Sequence, residues 1–198
     1  MDGTRAAGGC HADGGGESAG ILMNLVLIGY RGTGKTALSE QLRLSLNLPV
    51  YHMDEMLESR FGEKISSFVE RCGWDSFREE ERLLVEELTQ MDGVVIDAGG
   101  GVIVRDDNIH DLRRNGFVVW LQASTQEIAR RIGCDSNRPS LTGTKSHVDE
   151  IKQVLEQRRP RYEAASHFTL RTDELSFDEC VERILKAWRE KNEALAAE

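Results

Sequence analysis

The sequence predicts an α/β domain in which a parallel sheet is flanked by helices. Two observations carry this reading. Short β-rich runs alternate with helical stretches from Met23 onward, as in successive strand–helix–strand units. Three of those runs, Asn24–Ile28, 94–96 and 117–121, are apolar without alternation, as strands buried on both faces require. A length of 198 residues suits one well-packed domain and is short for two.

Residues 1–22 are Gly-rich, short of large apolar side chains and without period, so they are expected to form a flexible tail. They lack the basic start and apolar run of a signal peptide, and Asp2, Asp13 and Glu17 argue against a transit peptide. Met23 offers an alternative start. A single domain is expected over 23–190, opening with the strand Asn24–Ile28 and, after a glycine loop, the helix Lys35–Leu46. A shorter strand follows at 49–51. A helix over 75–90 carries Phe77, Leu84 and Leu88 on one side, and the central strands 94–96 and 117–121 come next. Ser124-Thr125-Gln126-Glu127 and Ser176-Phe177-Asp178-Glu179 have the form of capping boxes, each opening a helix. Between them, residues 133–147 are polar with little periodicity and are expected to form a mobile lid. Val148, Ile151 and Leu155 then set an apolar stripe at helical spacing, and a short strand is expected at 168–170. Residues 191–198 are expected as a C-terminal tail.

The formal charge of −9 gives no bulk attraction to nucleic acid or to an anionic membrane surface. No apolar run approaches the roughly 20 residues that span a bilayer. The four cysteines (Cys10, Cys72, Cys134, Cys180) are scattered and form no metal-binding unit, which suits reduced thiols in the cytoplasm. A monomer without nucleic-acid or membrane partners is expected.

The strongest chemical signal is Gly29-Tyr30-Arg31-Gly32-Thr33-Gly34-Lys35-Thr36, the G-x-x-x-x-G-K-[ST] phosphate loop between a strand and a helix. Its glycines let backbone N–H groups turn toward phosphate oxygens, and the helix start adds a favourable dipole. Gly32, Thr33, Gly34, Lys35, Thr36 and Ala37 are therefore candidate ATP-binding residues, with Lys35 reaching the β/γ phosphates and the Thr36 hydroxyl facing Mg²⁺. The loop alone does not separate kinases from other NTPases. Small size and the absence of a guanine-recognition motif leave the small-metabolite and nucleotide kinases.

Asp97-Ala98-Gly99-Gly100-Gly101 follows an apolar strand, where open α/β sheets bind ligands against bare backbone. Asp97 is read either as a Mg²⁺-side carboxylate or as the cap of a tight turn. Arg78 opposes the dipole of the helix it enters, so it is either an anion-binding group or one half of an exposed ion pair with Glu81. Arg158 and Tyr162 continue the apolar stripe of 148–155. A guanidinium there points to an anion below it, or else snorkels at the helix end. Arg138, in Asn137-Arg138-Pro139, could close over the phosphates from the lid.

Together these residues resemble the shikimate kinase family over about residues 23–188. The family's ordered motifs appear as Gly29 to Thr36, Asp54, Phe77-Arg78-Glu79-Glu80-Glu81, Gly99 to Gly101, Arg138-Pro139 and Arg158-Arg159-Pro160-Arg161-Tyr162. The resemblance implies a three-layer P-loop kinase fold with a five-stranded parallel sheet in the order 2-3-1-4-5 and a mobile lid. It implies ATP as co-substrate with Mg²⁺, and phosphorylation of the shikimate 3-hydroxyl on the route to chorismate and the aromatic amino acids. In these roles Lys35, Asp54 and Arg138 are catalytic, Asp54 holding the acceptor hydroxyls and serving as base. Arg78 and Arg158 clamp the carboxylate, Gly99, Gly100 and Gly101 line the acceptor, and Arg131 stacks on adenine. Where the family carries the first aspartate of D-x-D, this chain has His52, a poor partner for a hard cation, and Asp97 is expected to take over that metal-side role. Val69 stands where some members have a pocket phenylalanine, with Phe68 beside it. The alternatives are another small kinase of the gluconate or nucleoside monophosphate type, and a nucleotide-binding regulator that has lost catalysis.

Overall fold

The computed structural model describes residues 22–133 and 147–197. Arg138 and most of the expected lid, together with residues 1–21, lie outside the described residues. The elements run β1 (Asn24–Ile28), α1 (Lys35–Leu46), β2 (Val50–His52), α2 (Met53–Phe61), α3 (Ile65–Leu88), β3 (Val95–Asp97), α4 (Asp106–Arg114), β4 (Gly116–Gln122), α5 (Thr125–Gly133), α6 (His147–Ala165), β5 (Phe168–Arg171) and α7 (Phe177–Ala196). The strands form one five-stranded parallel sheet in the order β2-β3-β1-β4-β5. Parallel strands need long crossovers, which the intervening helices supply.

Alternation along β1 divides the core. Leu25 and Leu27 pack with Leu38 and Leu42 of α1 and Ile184 and Trp188 of α7 on one face. Val26 and Ile28 pack with Leu57 of α2, Leu84 of α3 and Tyr162 of α6 on the other. A strand buried on both sides has no polar face, so its sequence shows no alternation.

Three differences from expectation matter for the site. β2 and β3 each begin and end one residue later than predicted, so that His52 and Asp97 end adjacent strands as register partners. The helix expected over 75–90 begins at Ile65 and breaks at Gly73, whose φ of 82° and ψ of 166° only glycine adopts readily. The expected tail at 191–198 is helical as far as Ala196. It is held because Trp188 Nε1 donates to Met23 O at 3.1 Å and Met23 N donates to Asn192 Oδ1 at 3.0 Å.

Candidate active site

Two cavities open at the C-terminal end of the sheet, and they share Arg31, Lys35, Asp54 and Ser66. The first, of about 480 Å³, is walled by α3, by the Gly99 to Gly101 turn and by Arg158. The second, of about 550 Å³, lies over the phosphate loop and reaches Ala37, His52, Asp97 and Arg131.

The phosphate loop turns on glycines at positive φ, with Gly34 at 92° acting as the N-cap of α1. Gly32, Gly34, Lys35, Thr36 and Ala37 line the second cavity. Thr33 does not. It is buried, and its hydroxyl donates to Tyr30 O at 2.7 Å, closing the loop from inside. Lys35 Nζ donates to Gly29 O and Tyr30 O at 3.0 and 3.3 Å. Arg131 lies against the loop, donating to Glu127 Oε1 at 2.7 Å, Gly32 O at 3.2 Å and Thr172 Oγ1 at 3.1 Å. Hydrogen bonds from Arg130 and Arg131 hold the Glu127 carboxyl down to about 2. Glu127 is thus spent on arginines. Ser124 Oγ still accepts from Glu127 N at 3.3 Å, while Ser124 N donates instead to Asp173, so only half of that capping box forms.

On the metal side Thr36 Oγ1 donates to Asp97 Oδ2 at 2.7 Å. The same oxygen lies 3.0 Å from His52 Nδ1, while His52 Nε2 lies 2.8 Å from Glu40 Oε1. Burial works against the charged imidazole, yet the hydrogen bonds to Glu40 and Asp97 outweigh it and leave the His52 pKa raised. A neutral imidazole can donate from one nitrogen only, and here carboxylates face both. His52 is thereby tied into a carboxylate–imidazole–carboxylate chain ending on Thr36.

In the first cavity Arg78 Nη1 donates to Glu81 Oε2 at 2.5 Å, and its guanidinium lies 5.3 Å from the centre of the Trp74 ring. The Glu81 side chain is 2% exposed, so this is not a surface ion pair. Burial raises the Glu81 pKa, against the opposing charge of Arg78. Arg158 Nη1 donates to Gly100 O at 3.0 Å, and Tyr162 Oη donates to the same oxygen at 2.6 Å. Arg158 points into the site and does not snorkel. A Cβ at Gly99 would stand 2.8 Å from Asp54 Oδ1, and one at Gly101 would collide with the Arg78 guanidinium, so the bare backbone makes room for both groups. Val69 lines this cavity, whereas Phe68 turns away and stacks on Phe61 at 3.8 Å.

Comparison with known proteins decides the family. The family model described as shikimate kinase matches residues 31–189. The chain belongs to the shikimate kinase family. It is 33% identical to the shikimate kinase of Leptospira biflexa over 175 residues, covering 83% of this chain and 94% of that one. With the shikimate kinase of Syntrophus aciditrophicus the identity is 36% over 177 residues, covering 84% and 91%. The shikimate kinase from Acinetobacter baumannii in complex with shikimate superposes with a TM-score of 0.80 at 28% identity, covering 86% of this chain and 94% of that chain. A gluconokinase from Sinorhizobium meliloti shares the fold alone, at TM-score 0.59 and 18% identity. The family makes the chain an ATP-dependent kinase acting on a small molecule, and sets the gluconate-type alternative aside. Among the described residues no helix is long and apolar enough to cross a membrane.

The geometry adds three residues to the site. Trp74, Glu40 and Arg31 all reach or support the two cavities, and none was singled out from the sequence. Only Trp74 carried a usable signal, four residues before Arg78 and therefore on the same helical face.

Proposed function

We propose that this chain transfers the γ-phosphoryl group of ATP to the 3-hydroxyl of shikimate, giving shikimate 3-phosphate and ADP on the route to chorismate. One observation carries this reading. Two cavities meet at Lys35 and Asp54, and the one away from the phosphate loop carries the paired cations Arg78 and Arg158.

In this reading the nucleotide phosphates lie over Gly32, Gly34, Lys35 and Thr36, with Arg131 as a wall for adenine. Arg78 and Arg158 grip the acceptor carboxylate through their planar forks, fixing the ring so that one hydroxyl faces the γ-phosphate. The Asp54 carboxylate accepts the proton of that hydroxyl as the new O–P bond forms. Gly99, Gly100 and Gly101 offer bare backbone to the acceptor. Arg138 keeps a role at the phosphates on the sequence argument alone.

The donor set suits Mg²⁺. The Thr36 hydroxyl and Asp97 carboxylate lie side by side, both hard oxygen donors. Among the described residues no group of three or more His, Cys, Asp or Glu side chains could hold a metal by itself. That agrees with an ion that keeps waters and substrate phosphates and takes only one or two protein oxygens. When bound, Mg²⁺ would neutralise charge on the β/γ oxygens. Thr36 would meet it directly, and Asp97 from the position opposite His52.

An assay of ADP release tests the reaction. ATP turnover should depend on shikimate and stay at background with gluconate or nucleoside monophosphates. Turnover with those acceptors and none with shikimate defeats the assignment. ATP binding without turnover on any acceptor would favour the regulator.

A further inference from the structure

We propose that Arg31 is a further catalytic residue, holding the phosphoryl group on the acceptor side of the site and the new phosphate of the product. The inference rests on the phosphotransfer reading above. Arg31 is one of the side chains that line both cavities. Other arginines of the site already have a hydrogen-bond partner within the protein. Arg78 is paired with Glu81 and Arg131 with Glu127, while Arg158 donates to a carbonyl oxygen. Arg31 makes no hydrogen bond or ion pair among the described residues, and its Nε is buried without a partner. Its guanidinium rests 5.8 Å from the centre of the neighbouring Tyr30 ring, held by a face and not by a carboxylate. The cation thus lines both cavities without a carboxylate partner among the described residues, and an anionic ligand there would supply one.

Position selects the anion. The Arg31 backbone N is 3.5 Å from where a Cβ on Gly100 would stand, so the residue borders the glycine turn that lines the acceptor cavity. Lys35 lines both cavities as well, its Nζ anchored to the carbonyls of Gly29 and Tyr30. During transfer the bond from the γ-phosphorus to the bridging oxygen breaks, its electron pair leaving with ADP. The acceptor oxygen bonds to phosphorus and gives its proton to Asp54. Negative charge on the three equatorial oxygens thus moves with the phosphoryl group toward the acceptor, where a cation beside the glycine turn stabilises it. An arginine fork suits those oxygens better than a point charge.

The carboxylate of the acceptor is already provided for by Arg78 and Arg158, so Arg31 should distinguish product from substrate. Calorimetric titration of Arg31→Met and Arg31→Lys with shikimate, ADP and shikimate 3-phosphate, each alone, tests this. In Arg31→Met, shikimate and ADP should bind within threefold of wild type. Shikimate 3-phosphate should bind at least tenfold more weakly, and kcat should fall at least 100-fold. Arg31→Lys, which keeps charge and most of the bulk, should fall between the two. It serves as the test if the Met variant does not fold, with product binding weakened more than threefold and shikimate unchanged. Product affinity equal to wild type overturns the proposal, as does an equal loss of shikimate and product affinity. A wild type that releases no ADP with shikimate defeats the reaction and this assignment with it, whereas an active wild type with Arg31-independent product affinity defeats this assignment alone.

Discussion

Arg78 is held from three sides, by the Glu81 carboxylate and by the faces of Trp74 and Phe77. Such a group is fixed before a ligand arrives, so little ordering remains to be done on binding. Removing one partner of a buried, charged hydrogen bond costs about 2–5 kcal/mol. Arg78→Ala and Arg158→Ala should therefore each raise the KM for shikimate by about 30-fold or more, with the KM for ATP nearly unchanged. Normal turnover at limiting shikimate in either variant removes that arginine from the clamp. Asp97→Asn keeps shape and removes charge. In calorimetry it should bind ATP with a Mg²⁺ requirement shifted several-fold upward, and His52→Asp in the same protein should recover part of the shift. An unchanged Mg²⁺ requirement would leave Asp97 a structural partner of His52 and Thr36. Arg78 and Arg158, which line one cavity, stood out in sequence because an arginine against the dipole and an arginine on an apolar stripe are each anomalous. Glu40 was not, because its meeting with His52 depends on how α1 packs across β2, and no local spacing records that.

At the scale of elements, Gly73 does what neither flanking helix could do alone. Ile65–Cys72 and the stretch from Trp74 onward change direction at a residue with φ 82° and ψ 166°, and the second stretch delivers Trp74, Phe77, Arg78 and Glu81 to one cavity. Ile65, Phe68, Val69 and Cys72 already carry helical spacing before the kink, but Gly73 interrupts the pattern, so only the later stretch was read as helix. The three central apolar strands, by contrast, were readable to within a residue at each end, because burial on both faces leaves no polar position to confuse the pattern. A side chain at position 73 would be strained by about 1–3 kcal/mol even though open space surrounds the site of its Cβ. Gly73→Ala should thus lower stability by that amount in urea unfolding and raise the KM for shikimate several-fold, with ATP affinity unaffected. A stable variant with unchanged KM would mean that the kink does not set the position of Arg78.

For the whole molecule, the closing edge of the sheet carries a pH dependence of its own. His167 stands just before β5 and matches both backbone groups of Val118 in β4. Its N–H donates to Val118 O at 2.8 Å, and its Nδ1 accepts from Val118 N at 3.0 Å. The ring also stacks on Phe117, with centroids 5.8 Å apart. Accepting at Nδ1 requires that nitrogen to be bare. Burial first, then the charges of Arg113 and Lys191, lower the His167 pKa to about 4. An unfolded chain takes up that proton near pH 6.5. Stability from this group is therefore complete above about pH 6.5 and is lost progressively as pH falls toward 4. Because the imidazole is only partly shielded from water, the loss is put at about 1–2 kcal/mol after screening, or roughly 3–6 °C in Tm for a chain of this size. Carboxylates titrate over part of the same range, so the reading is a difference between two proteins. In His167→Asn the side-chain oxygen can still accept from Val118 N but takes no proton. Calorimetric Tm values for the two proteins should run parallel above pH 7 and diverge below 6, the variant falling less by about 3–6 °C at pH 4.5. Curves that stay parallel down to pH 4.5 would show that protonation of His167 does not set the acid limit of this edge of the sheet.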